Sequence, residues 1–494
     1  MKFDHVVIGS GISGLACAVI LAQRGRRVAV VEKAGQAAPL LRGFNRRGIH
    51  FDTGFHYTGA YGPGEALDVY FRCLGIEDRL TKVPYNADCF DAARFPGDGF
   101  SFDFPQGYDQ LRQRLHEDFP LEKEGIDAYL RIVAEEFGRS PHLNLDLPID
   151  AIGAFNPLHE QSVATCLSGL FGDERLRALL SLHFLLYGVE PGQASMALHA
   201  QVCGSLYQSV HGIKGGGKSL AAALTRRLEE LGVVLLTGRN VKRIETASDH
   251  CRGVVLEDGE VVRSDTCIAA VHPCSLLSMV DEAAFRPATR RRFQAYEETS
   301  SGFMFSAAVD EFPKILDRKN LFLCPDMDLD GYCRPDRPIE KRPFFLAAAG
   351  AENGSSARGL ILLCPASMEE MRPWMHSGPR DRPESYRSMK RDLMDRVQAH
   401  VSRSIPEIGS MTMLDCATPL TFRDWVNAPS GSLYGIKQKH GQISPSPLTK
   451  IKGLYLVGQA LTGPGVLGAT ISAFLTCGFI LGPETLRKEV RQCR

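Results

Sequence analysis

The sequence predicts an α/β protein: a parallel-sheet domain that the chain leaves and re-enters, with an α+β domain interleaved. Three stretches carry that expectation. The chain opens with an apolar strand, a Gly-x-Gly-x-x-Gly turn, a helix and a second apolar strand ending in an acid. Residues 219–271 read as a helix, a strand and a small meander closing on another apolar strand. Residues 454–482 read as a strand, a Gly/Pro turn and a charge-free helix. At 494 residues the chain is too long for one simple core, so two or three sequential or interleaved domains are expected.

In the first stretch Val6, Val7 and Ile8 form the strand, and Gly9-x-Gly11-x-x-Gly14 follows at once. Gly9 allows the tight turn, Gly11 lets the backbone approach a pyrophosphate, and Gly14 lets helix and strand pack closely. Ile12 and Ser13 begin a helix whose unpaired N–H groups and positive dipole end suit phosphates. The helix has Leu15, Ala18, Val19 and Leu21 at its apolar positions and stops near Gly25. The next strand, 28–31, leads into Glu32 and Lys33; Glu32 lies 18 residues after Gly14. A carboxylate there accepts both hydroxyls of an adenosine ribose and disfavours a 2′-phosphate. The strand–turn–helix–strand–acid context makes this a dinucleotide site.

Composition narrows the class. With 44% hydrophobic and 23% charged residues and a formal net charge of +0, the chain reads as a folded protein without the basic excess of a nucleic-acid binder. Its one dense basic cluster is Arg286, Arg290, Arg291 and Arg292. The plain reading is a solvated helix face; the sharper one is contact with anionic lipid headgroups. The 14 cysteines contain no C-x-x-C pair, so no zinc or dithiol site is expected, and scattered thiols fit a reducing, cytoplasmic setting. The chain is strand-like by residue 6, which leaves no room for a signal peptide. Residues 454–482 lack charge and are long enough to span a bilayer, but Gly463, Pro464, Gly465 and Gly468 break the run and favour a buried unit.

In the middle stretch Ser219 is placed to cap a helix. Leu220, Leu224, Leu228 and Leu231 recur at helical spacing and Gly232 stops it. Strands follow at 233–236 and 240–245, then two valine-rich runs joined by the hairpin signal Asp258-Gly259, and an apolar strand within 265–271. One motif here competes. Gly212-x-x-x-x-Gly217-Lys218-Ser219 matches the phosphate loop of nucleotide triphosphatases letter for letter. That loop must follow a buried apolar strand, and residues 201–211 do not read as one. The nearest magnesium-binding candidate, Asp415 after "TML", is weak. In the third stretch the strand ends at Gly458-Gln459, and Gly465 and Val466 open a helix rich in small residues, which lets backbone lie against a flat ring.

The extended first motif, with Leu15, Ala16, Ala18, Leu21, Gly25 and Glu32, resembles the amine oxidase and phytoene desaturase group of FAD proteins. "GIHFDTGFHYTGA" (48–60), "ATPLTFRDWVNAPSGSLYG" (417–435) and "GQALTGPGVLGATISAF" (458–474) are more similar to retinol saturases and carotenoid isomerases than to amine oxidases. The resemblance implies a discontinuous Rossmann-like FAD-binding domain of glutathione reductase type over 1–84, 206–274 and 411–494. The substrate domain would cover 85–205 and 275–410. It implies that Arg42 and Gly43 approach the diphosphate and that Val241 brackets the adenine. Gln459 stands where many relatives have an acid gripping the ribityl chain, and the helix at Gly465 and Val466 faces the flavin. Gly54 lies in the segment that passes the isoalloxazine ring, with His56 first and Tyr57 second as residues facing ring or substrate. Gly215, Gly216 and Gly217 become glycines at which the chain crosses between domains. The apolar run 182–191, with Tyr187, is offered as either tunnel wall or plain core.

The function implied is an FAD-dependent oxidoreductase acting on carbon–carbon double bonds of a hydrophobic polyene or isoprenoid, as saturase, desaturase or isomerase. NAD(P)H is the candidate electron donor for saturation, and a lipid-soluble substrate implies peripheral membrane contact. Two alternatives share the fold: a flavin amine oxidase, and a non-catalytic prenyl-binding escort protein resembling Rab dissociation inhibitors.

Overall fold

The computed structural model describes residues 2–149, 156–332, 334–350 and 359–494. Its organising element is a five-stranded, all-parallel sheet in the order Val234–Leu236, Val28–Val31, His5–Ile8, Cys267–Ala269, Leu454–Leu456. All three predicted stretches contribute strands. His5–Ile8, Val28–Val31 and Cys267–Ala269 are buried at every residue, the signature of strands covered on both faces. The helices Ile12–Ala22 and Gly465–Leu481 pack together on one face, tied by Ser13 Oγ donating to the Ala469 carbonyl at 2.8 Å. Among the described residues no helix is long and apolar enough to cross a membrane, and the 454–482 run folds as the expected strand, turn and buried helix.

The meander lies on the other face as a four-stranded sheet, in the order Lys2–Phe3, Val261–Ser264, His250–Leu256, Val241–Ala247. Asp258-Gly259 is its hairpin turn, with Gly259 at φ +88°. The preceding helix runs over Gly216–Glu230 with Gly215 at its N-cap, so Ser219 sits inside the first turn and does not cap it.

The phosphate-loop match dissolves in three dimensions. Gly212 lies within the short strand Val210–Ile213, which pairs antiparallel with Thr58–Gly59 and Lys82–Pro84, outside the parallel sheet. Gly217 N donates to Asp52 Oδ1 at 2.9 Å, and a Cβ on Gly217 would lie 2.3 Å from the Leu41 carbonyl oxygen. The glycines thus permit a close backbone crossing. Asp415 receives Lys390 and Arg46, the pairing of a structural carboxylate.

The second half of the molecule is a seven-stranded, mostly antiparallel sheet. Its order is Met411–Ala417, Ser301–Val309, Gly359–Ala366, Phe344–Ala349, Asn320–Leu323, Asp91–Phe95, Phe100–Phe104. Helices Tyr108–Asp118, Lys123–Arg139 and Met196–Gln208 share an apolar core with its strands around Phe90, Phe104, Tyr129 and Phe322. Residues 411–417, assigned by the sequence to the cofactor domain, form the edge strand of this sheet. The alternation in that stretch fits either sheet, and only the pairing with Ser301–Val309 decides it.

The crossing glycine gives a stability test. Gly217→Val must displace the backbone at Leu41, and is expected to lower the unfolding free energy by about 1–3 kcal/mol, measured by urea denaturation.

Candidate active site

A cavity of about 280 Å³ runs along the carboxyl ends of the parallel strands, where ligands of open α/β sheets bind. Gly9, Gly11, Ile12, Ser13, Gly14, Glu32, Lys33, Val241, Gly458 and Gln459 all line it, so sites far apart in sequence converge. The three motif glycines divide their roles. A Cβ on Gly14 would stand 2.2 Å from the Gly9 oxygen, and one on Gly9, itself at φ +98°, 2.7 Å from the Ala270 oxygen; both are packing glycines. A Cβ on Gly11 would meet nothing within 4 Å, so that position is open for a ligand. Glu32 is aimed rather than free. Its Oε2 accepts from Ser10 N (2.8 Å) and Ser10 Oγ (2.6 Å), and its Oε1 from Ala34 N (2.8 Å). Gly458, at φ +134°, donates its N–H to the buried Ser472 hydroxyl at 2.9 Å and also leaves open space where a side chain would be.

Arg42 is placed differently. Its Nε donates to the Ala37 carbonyl at 2.6 Å, and Pro39 and Leu40 of its own segment line the cavity instead. Two lining residues escaped the sequence reading. Arg239 lies beside Val241 and pairs with Asp258 and Glu260. His272 accepts from Cys274 N through Nδ1 at 3.2 Å, while its Nε2 has no hydrogen-bond partner. Neither carries a spacing signal: Arg239 comes just before the meander strand Val241–Ala247, and His272 lies three residues past the parallel strand Cys267–Ala269.

A second cavity of about 370 Å³ adjoins the first where the helix Gly465–Leu481 begins: Gly465 to Gly468 line one, Ala469 the other. Gly54, His56, Tyr57, Gly465 and Val466 line this second cavity, with Leu185, Leu198, Leu206, Phe345 and Tyr434 among its apolar walls. Among the described residues no Asp, Glu, Lys or Arg lines it. From the run 182–191 only Leu185 and Leu186 reach it; Tyr187 is core. Burial holds the His56 imidazole down at about 4, so it is neutral at pH 7. Its ring lies 5.5 Å from Phe345.

Tyr57 has a different environment. Its hydroxyl donates to Asp91 Oδ2 at 2.9 Å; His183 Nε2 reaches the same oxygen at 3.1 Å, and Asn320 Nδ2 donates to Oδ1 at 2.9 Å. Asp91 and His183 are fully buried. Behind His183 the network continues through Cys203 to His199, whose ring nitrogens meet Tyr187 Oη (2.9 Å) and Tyr129 Oη (3.1 Å). Burial alone would pull His183 down, but its hydrogen bonds to Asp91 and Cys203, and their charges, raise it to about 9. Burial and the Asp91 charge push the Tyr57 phenol well above its ordinary value, so it keeps its proton. Asp91, His183, His199 and Cys203 were missed because they come from three distant segments; a lone acid heading the apolar strand Asp91–Phe95 was the one available hint.

An open glycine cradle, an oriented carboxylate and an adjoining apolar cavity define the frame of a dinucleotide-dependent oxidoreductase, and those donors suit FAD. The description "flavin containing amine oxidoreductase" matches residues 12–481, and the chain belongs to that family. It is 26% identical over 526 residues to human all-trans-retinol 13,14-reductase, covering 97% of this chain and 86% of that one. It is 26% identical over 501 residues to the zeta-carotene-forming phytoene desaturase of Myxococcus xanthus, covering 93% and 90%. Among solved structures, an oxidoreductase from Methanosarcina mazei superposes with a TM-score of 0.67 at 17% identity, covering 96% of this chain and 99% of that one.

Glu32→Gln removes the charge that Ser10 and Ala34 hold in place. Hydrogen bonds to charged groups contribute about 1.5–3 kcal/mol, so FAD affinity is expected to fall roughly tenfold to a hundredfold in a flavin fluorescence titration.

Proposed function

We propose that this protein is an FAD-dependent oxidoreductase acting on a carbon–carbon double bond of a hydrophobic polyene or isoprenoid. One observation carries the reading: an apolar cavity, lined by no acid, lysine or arginine among the described residues, meets the other cavity at the start of the helix Gly465–Leu481. A protonated amine would find no counter-charge there, which favours a polyene over the amine-oxidase alternative. The glycine cradle and the oriented Glu32 favour a flavin enzyme over the escort-protein alternative. The named relatives, a retinol reductase and a carotene-forming desaturase, support the same substrate class.

Bound FAD supplies the two-electron chemistry at one alkene carbon. The chain's own residues supply the proton, the geometry and the dryness. The apolar walls exclude water and hold the polyene beside Gly465 and Val466. Tyr57 holds a proton at Oη, to be given to the second alkene carbon in saturation; in desaturation it takes that carbon's proton as it passes its own to Asp91 Oδ2. Asp91 Oδ2, shared by Tyr57 and His183, is the bridge through which His183 restores that proton. His56 shapes the cavity as a neutral ring. Arg42, with its guanidinium turned to Ala37, approaches the diphosphate only after a side-chain rotation. NAD(P)H as donor and peripheral membrane contact belong to the same reading.

The test uses the FAD-loaded protein with all-trans-retinol and with phytoene under anaerobic conditions. Saturation shifts the polyene absorption to shorter wavelength and desaturation to longer; no shift with either, under reducing or oxidising conditions, overturns the reading. Bleaching of the flavin by NADH or NADPH, as opposed to dithionite alone, identifies the donor. Tyr57→Phe is expected to lower kcat by about 10²- to 10⁴-fold with FAD affinity unchanged. The proton supply should fail as pH rises through about 9, where His183 loses its charge, so kcat is expected to decline there in the parent enzyme. His183→Gln should remove that limb from the pH profile.

A further inference from the structure

A third cavity, of about 320 Å³, lies beside the apolar one, and His142 and Leu475 line both. Its remaining wall includes Tyr70, Phe474, Leu486 and Arg487. Most of that lining is apolar, and the exception is informative. Arg487 is only 5% exposed. Its Nη2 donates to the backbone carbonyls of Asn144 (3.0 Å) and Leu147 (2.8 Å), but its Nε has no partner. Among the described residues, no carboxylate lies within 4 Å of the guanidinium, although the chain's other deeply buried arginine, Arg342, is paired with Glu370. His142 Nε2 is shielded and likewise unpartnered. Both side chains line a largely apolar cavity, and Arg487 brings to it a charge that no ion pair among the described residues balances. A buried cation without a counter-ion is costly, and retaining one at the wall of a cavity implies an anion that enters it.

Resting on the polyene reading above for what fills the apolar cavity, we propose that the substrate carries a carboxylate at one end, seated on Arg487 and His142, with its chain running past Leu475 toward Tyr57. The anion is monovalent on charge grounds. One arginine faces it, and burial first and then the Arg487 charge hold His142 at about 4 and hence neutral; burial lowers the Arg487 pKa, with the charges of Asp146 and Glu484 opposing that shift. A carboxylate balances that site, whereas a diphosphate would bring excess negative charge beside two acids.

The experiment compares two probes on the purified FAD-loaded protein: cis-parinaric acid, a fluorescent conjugated tetraene with a free carboxylate, and its methyl ester. The parent protein is expected to bind the acid at least about tenfold more tightly than the ester. Arg487→Gln should abolish that preference by weakening the acid while leaving the ester within about twofold, and Arg487→Lys should keep most of it. Equal affinities in the parent, or a preserved preference in Arg487→Gln, overturn the proposal. Because Arg487 also ties two backbone carbonyls, Leu475→Trp provides a second arm. It fills space where Leu475 lines both cavities and should weaken both probes, and undiminished binding of the acid overturns the threading. Acid-selective binding in a protein that neither reduces nor oxidises any polyene would sink the redox reading and leave this site standing. Turnover with no acid preference would sink this site alone.

Discussion

The strand Cys267–Ala269 hydrogen-bonds on one side to His5–Ile8 and on the other to Leu454–Leu456. On that double pairing everything else depends. It brings a glycine turn from residue 9 and a glycine turn from residue 458 to the same edge of one sheet, although more than four hundred residues separate them. The closeness of the two helices that follow those turns is then fixed by small residues, with Ser13 bonded to the Ala469 carbonyl. Since the apolar cavity opens at the head of the helix Gly465–Leu481, its position relative to the cavity at the strand ends is set by the same strand pairing.

Much of the cofactor half was legible in the sequence because its constraints are local. A backbone that must approach a phosphate needs glycine, a strand buried on both faces needs an unbroken apolar run, and a ribose needs an acid at a fixed spacing. Glu32 followed from spacing alone, though not the Ser10 hydroxyl that aims it. The seven-stranded sheet was not legible in detail, since its strands pair across gaps of two hundred residues and more, as Asp91–Phe95 does with Asn320–Leu323. The network behind Tyr57 was illegible for the same reason: Asp91, His183 and Cys203 have no common spacing, and each alone reads as a stray polar residue in an apolar segment. The phosphate-loop match shows the converse. Its letters were right and its context wrong, because Gly212 had already been claimed by a strand of another sheet.

Two groups of buried polar residues border the apolar cavities, and they differ in completeness. Asp91 receives three donors, and His183 and His199 are bonded through both ring nitrogens. Apart from Asn320 Oδ1, such a network is satisfied without any ligand, so most of its cost is met within the protein, and it can hold one protonation pattern while substrates come and go. Arg487 and His142 are left incomplete. An incomplete set is tolerated only where something completes it, which is why the first group reads as machinery of the protein and the second as a place for something that is not part of it.

The arrangement also answers a difficulty that any enzyme for conjugated chains must meet. A polyene offers several nearly equivalent double bonds, and an apolar wall cannot tell one from the next, because sliding the chain by one unit changes little contact energy. A pocket that distinguishes positions needs a fixed point, and a hydrogen-bonding anchor discriminates far more strongly than an added methylene. Here the polar groups stand at the two ends of the space: Tyr57 beside the head of the helix Gly465–Leu481, and Arg487 beyond Leu475. An end group held at one extreme makes the number of carbons to the other extreme a measured length. On the proposed reading, which double bond meets Tyr57 would be decided by the depth of the cavity rather than by the chemistry of the bond.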